Sequence, residues 1–130
     1  MEVEIFTLCD FAQDNQGKLT VVGTFDRLNA PVLPFTFPHM SLAARLRFAN
    51  SEAGEKHVRI RFVAPDGAEI QSANLNVTIV SSPIGYSAVN IVFNVNQQNF
   101  TTAGMYSFEL YVDEEWESGL KLFVVQANQQ

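Results

Sequence analysis

Apolar and polar positions alternate with a period of two along almost the whole chain, and no stretch sustains the i, i+3, i+4, i+7 spacing of an amphipathic helix. The pattern predicts an all-β protein. Residues 3–13 place Val3, Ile5, Thr7, Cys9 and Phe11 on one face, residues 18–26 place Leu19, Val21, Gly23 and Phe25, and Asn15-Gln16-Gly17 between them reads as a three-residue hairpin loop. That loop sets Phe11 opposite Val21 and Cys9 opposite Gly23. A second hairpin is expected between residues 41–50 and 56–64 around Glu52-Ala53-Gly54, pairing Leu46 with Ile60, Phe48 with Val58 and Ala44 with Phe62. Ala64-Pro65-Asp66-Gly67 has the residues of a tight turn and returns the chain into a strand over 68–80. In that strand Ile70 is out of phase with Leu75, Val77 and Ile79, so a bulge or bend is expected within 71–74. Val89, Ile91, Phe93 and Val95 then alternate with Asn90, Asn94 and Asn96, Tyr106, Phe108, Leu110 and Val112 form another inward set, and residues 119–125 make a last strand. About eight strands with turn signals between them suit a two-layer antiparallel sandwich, with a closed barrel as the second choice.

The chain has 130 residues, 47% of them apolar, which fits one domain over residues 1–126 followed by a polar tail at 127–130. Such a length can bury enough surface to fold without disulfides or a structural metal. The net charge of -6 argues against nucleic acid and anionic membranes as partners. Cys9 is the only cysteine, so no intrachain disulfide and no multi-thiol zinc site can form. The acidic opening Met1-Glu2-Val3-Glu4-Ile5 does not read as a secretory signal, and no apolar run is long enough for a membrane-spanning helix. A cytoplasmic protein is expected.

Thr102-Ala103-Gly104-Met105-Tyr106-Ser107-Phe108-Glu109-Leu110 resembles the late-strand segment of immunoglobulin-like sandwiches. The resemblance implies that Tyr106 is a tyrosine-corner residue, its ring buried and its hydroxyl bonded to upstream backbone. The cysteine pair and core tryptophan of antibody domains are absent. Cys9-Asp10-Phe11-Ala12 and Gly17-Lys18-Leu19-Thr20-Val21-Val22-Gly23, together with residues 106–112, are similar to an uncharacterised bacterial family of small single-domain proteins. That likeness implies a fold and supplies no activity.

Candidate chemistry is sparse. His39 and His57 have no spacing that would bring them together on a metal or a substrate, and Cys9 reads as a small buried hydrophobe. Asp113-Glu114-Glu115-Trp116-Glu117 offers oxygens to a hard cation, yet lacks the alternating ligands and glycine of an EF-hand loop. The expected second hairpin puts Arg45, Arg47, Arg59 and Arg61 on one face, where opposed like charges need carboxylates, either of the chain itself or of a partner. The proline-rich segment at 29–40 is expected to cap the core with Phe35 and Phe37, or else to form an apolar contact patch, alone or with Trp116. The last strand, Leu120–Val125, carries only Lys121 as a guard against edge pairing. No phosphate loop, nucleophile elbow or zinc spacing occurs, and no catalytic residue, metal or cofactor is assigned. The expectation is a non-catalytic module that binds a protein partner or itself, with a carbohydrate- or metal-binding domain second and a hydrolase with a dispersed site third.

Overall fold

The computed structural model describes residues 1–127. Nine strands follow one another: β1 Glu2–Asn15, β2 Lys18–Thr24, β3 Arg27–Ala30, β4 Phe35–Ala49, β5 Gly54–Val63, β6 Glu69–Ile79, β7 Tyr86–Phe100, β8 Gly104–Val112 and β9 Glu115–Gln126. A single 3-10 turn, Asn50–Glu52, lies between β4 and β5, and no α-helix occurs among the described residues. The strands form two sheets, ordered β2-β1-β4-β7 and β3-β9-β8-β5-β6. All neighbours are antiparallel except β3 and β9, which run parallel. The sandwich expected from the alternation is therefore present, with nine strands where about eight were expected and one parallel pair. The polar tail expected at 127–130 lies, beyond Ala127, outside the described residues. Ala127 itself donates its N–H to the Ala30 carbonyl.

The core lies between the sheets. Leu42, Leu46 and Phe48 of β4 meet Val58, Ile60 and Phe62 of β5, Phe108 and Leu110 of β8 and Leu122 of β9, all fully buried. Phe62 stacks on Phe108 at 4.4 Å between ring centroids, and Phe100 meets Tyr106 edge-on at 5.1 Å. The Tyr106 hydroxyl donates to the Thr102 carbonyl at 2.8 Å, the corner expected of it. Val89, Ile91, Phe93 and Val95 of β7 also face this core, as their alternation requires.

The expected hairpin between residues 41–50 and 56–64 does not form. β4 pairs with β1 and β7, β5 pairs with β6 and β8, and the connection crosses from one sheet to the other. The crossing is fixed by distant groups. Asn50 donates its side-chain amide to the Ser82 carbonyl and accepts the Ser82 N–H, while Glu52 binds the N-terminal ammonium and the Ala49 N–H. Arg45 and Arg47 consequently lie on the four-stranded sheet and Arg59 and Arg61 on the five-stranded one, and the four do not share a face.

The first hairpin is also displaced from its expected register. Gln16 and Gly17 both have positive φ and make a two-residue turn, so Phe11 pairs with Val22, Ala12 with Val21 and Cys9 with Thr24. A bulge between Val3 and Ile5 shifts the phase at the start of β1: Val3 before it and Phe6 and Leu8 after it pack in the main core, while Cys9 is buried on the opposite side and Phe11 is exposed. The bulge of β6 falls at Ile70, one step before the expected 71–74 window.

Beyond the step at Asp10 and Gly23, the β1–β2 hairpin curls over the outer face of its own sheet. Gly23 has φ +70° there, and the pairs Cys9↔Thr24 and Phe11↔Val22 flank Asp10 and Gly23, which are not paired with each other. At the tip, the Gly17 carbonyl accepts from Asn90 of β7, and Asp14 accepts from the same Asn90 amide. Beneath the hairpin, Cys9, Ala12 and Ala43 form a small second core with Leu19, Val21 and Val92. Both faces of the middle of β4 are covered as a result, and Met40–Ala44 are all buried. Small side chains on this face allow the close approach.

Candidate interaction surface

Each arginine of the expected basic face is neutralised within the chain. Arg45 and Arg47 converge on Glu4, with Nε distances of 2.9 and 2.7 Å, and the Arg47 guanidinium also lies 4.8 Å from the centre of the Tyr86 ring. On the other sheet, Arg61 holds Glu69 and Glu109 at 2.7 Å each, and Arg59 pairs with Glu114 and lies over Tyr111. The bond from Arg47, with a second from Arg45, holds the Glu4 carboxyl below the usual carboxylate range. Glu69 and then Tyr111 help hold the Arg61 guanidinium more firmly charged.

Phe35 and Phe37 belong to β4 and are half-buried. Their rings pack with Phe25 in a row, 6.1 Å from Phe25 to Phe37 and 6.2 Å from Phe37 to Phe35, against the main core. Pro38, inside the same strand, sits beyond the last β1 partner at Ser41, so only the β7 side is paired there, and Gln97 opposite it adopts φ +52°. Trp116 is 59% exposed and its indole folds across Gly119. The two aromatic groups do not merge into one patch. Phe35 pairs with Phe100, which touches Tyr106, whereas Trp116 pairs with Tyr111, five positions farther along β8 and so roughly 17 Å away.

The other candidate chemistry is accounted for by local structure. His39 bridges Asn96 at 2.6 Å and Ser41 at 3.3 Å on the four-stranded sheet, while His57 meets Glu114 on the five-stranded sheet. Ser41 is buried and donates to Asn94 at 2.7 Å. Burial beneath the hairpin pushes the Cys9 thiol up from its usual pKa, away from thiolate chemistry. Asp113 accepts the His57 N–H, and Glu114 faces His57 and Arg59, so these two carboxylates of the acidic turn are engaged by neighbours of the same chain. No group of three or more potential metal-ligating side chains occurs among the described residues. A cleft of about 300 Å³ runs past Pro65, Ile70, Gln98 and Thr102, but the Asp66 carboxylate caps the Ala68 N–H and the Tyr106 hydroxyl is held by Thr102.

The four sheet edges differ in length and charge. Contacts between β1 and β9 align the two stacks, placing edges β2 and β3 on one side of the sandwich and β7 and β6 on the other. The β2–β3 side is guarded. β2 has 7 residues beginning at Lys18 and a glycine kink, and β3 has 4 residues beginning at Arg27. β3 also covers the end of β9 from Phe123 to Gln126, so the last strand is not the open edge expected of it.

The β6–β7 side is built differently. β6 has 11 residues and β7 has 15, neither contains lysine, arginine or proline, and no charged residue occurs anywhere from Gln71 to Phe108. Each strand is paired on one side only. The core is incompletely closed between them: Val77, Val89 and Phe93 are half-exposed core residues, Leu75 is 36% exposed, and Val80 and Ile84 protrude from the connecting loop. The uncharged run was readable in the sequence. That it forms two neighbouring edges depends on the strand order.

No helix among the described residues is long and apolar enough to cross a membrane. No curated protein matches the chain. Among solved structures, the fold is similar to part of a β-glucosidase from Listeria innocua in complex with isofagomine, with a TM-score of 0.51 and 11% sequence identity. The match covers 95% of this chain and 16% of that one, and at such identity the likeness concerns the fold alone. Residues 4–125 match the family of unknown function DUF6941, and the chain belongs to that family.

Proposed function

We propose that the chain is a non-catalytic module for protein binding or assembly, and that it associates through the β6–β7 side. The observation that supports this reading is the contrast between edges. A long uncharged edge strand exposes a row of backbone donors and acceptors that can pair with another strand, and proteins that remain apart normally block such rows with charge, proline or shortness. Both devices of charge and shortness are present at β2 and β3; β6 and β7 are long, β7 carries no charge, and the only charge of β6 is Glu69 at its start, which is paired with Arg61. The half-exposed core residues at the same side add apolar area that a docked strand would cover. The same reading places the module in a reducing, cytosolic setting, in keeping with its single buried thiol, and takes the sandwich as immunoglobulin-like on the strength of the Tyr106 corner.

The test compares the unaltered chain as bait in native lysate with two variants, Val89→Lys on the β7 side and Val22→Lys on the guarded β2 edge. Association that is lost with Val89→Lys and kept with Val22→Lys supports the reading. The same proteins retained by both variants would place binding elsewhere on the surface.

A further inference from the structure

We infer that the partner on this side is a second copy of the chain, joined through antiparallel pairing of β7 with β7 so that two four-stranded sheets become one continuous sheet. The inference rests on the assembly reading above and names its occupant. Two copies carry a net charge of -6 each and repel at most orientations, so they meet at lowest electrostatic cost along β7, an edge strand with no charged residue. A two-fold contact is also self-complementary: each residue near the axis faces its own copy or a neighbour from the same strand. A strand bearing lysine or glutamate opposes like charges in that arrangement, whereas the Ser, Ala, Val, Asn and Ile residues of β7 do not.

Two further observations favour β7 over β6. β6 starts with Glu69 and a bulge at Ile70, while β7 pairs regularly with β4 from Tyr86 to Asn96 before the irregular step at Gln97. The strand also supplies what its own seam lacks. Pairing in a continuous sheet keeps inward residues on the inward face, so Val89 and Phe93 of each copy would be covered by inward residues of the other.

Sedimentation of the unaltered chain from about 1 μM to about 1 mM, the range in which modest specific pairs dissociate, reads the outcome directly. The expected result is a concentration-dependent species of twice the chain mass. Val89→Lys places a lysine in the contact twice, once from each copy, and should weaken the pair at least about tenfold, as should Asn96→Lys, while Val22→Lys leaves it unchanged. Asn96 is exposed, so its substitution decides the matter if circular dichroism shows that Val89→Lys has not folded. A monomer throughout the range overturns the inference, as does a dimer that the β7 variants leave intact. If the chain is monomeric and its capture of other proteins still depends on Val89, self-pairing is wrong and the module reading stands.

Discussion

At the scale of single residues, the polar side chains of this protein are spent on holding structure. The Tyr106 hydroxyl closes the turn before β8 by its bond to Thr102, and the ring fills the core against Phe62 and Phe100. Tyr106→Phe keeps the ring and leaves the Thr102 carbonyl without that donor, so it should cost about 1 to 2 kcal/mol, read as a lower urea midpoint at unchanged slope. Glu4 and Glu52 show the same economy in charge. Arg47 and then Arg45 lower the first carboxyl from the usual 4.5, and the N-terminal ammonium and then the Ala49 N–H lower the second. The unfolded chain therefore binds protons more readily at these sites. Their contribution is complete above pH 4.5 and is lost as pH falls through the lower folded values. Urea midpoints measured across that window should decline toward acid, and Glu4→Gln should flatten the decline. The tyrosine corner could be read from the segment at 102–110 because its partner is four residues away. The partners of the arginines could not, since each carboxylate arrives on a strand or turn whose position depends on the pairing of the sheets.

The elements show where local pattern suffices and where it stops. Inward residues of β7 and β8 follow the alternation without exception because neither strand is bulged between Val89 and Val95 or between Tyr106 and Leu110. The hairpin drawn between β4 and β5 failed although both strands alternate correctly. What carries the chain to the other sheet is Asn50 gripping Ser82, a contact between segments far apart in sequence. The curl of the β1–β2 hairpin is not legible in the sequence for a related reason. Its small second core uses Cys9, Ala12 and Ala43, residues that look indifferent in a sequence and matter only once the hairpin lies over them. Gly23 is the joint of that curl. A side chain there would meet a positive φ, and its Cβ would lie 2.5 Å from the Asp10 carboxylate. Gly23→Ala should cost about 1 to 2 kcal/mol and loosen the hairpin before the main core is affected. The readout is Cys9, which is buried beneath the hairpin: its labelling by a thiol reagent should accelerate in the variant at denaturant concentrations that leave tryptophan fluorescence unchanged.

For the whole molecule, the distribution of charge is the feature that supports the proposed association. Acids and bases pair across the outer faces of both sheets and guard the β2–β3 side, whereas β7 and all of β6 after Glu69 carry none. On the proposed reading, the long uncharged edge of β7 is open to another strand, which would cover the half-exposed Val89 and Phe93. The fold class followed from period-two alternation alone. The proposed association side required knowing that the uncharged run folds into edge strands, which no local rule provides. The measurement that bears most directly on this account is residue-resolved amide hydrogen exchange of the unaltered chain in dilute and in concentrated solution. The account predicts that the β7 amides not bonded to β4 exchange rapidly when dilute and become protected when concentrated, while the β2 edge stays fast in both. Equal exchange along β7 at the two concentrations, or protection gained at β2 and β3 instead, would contradict it.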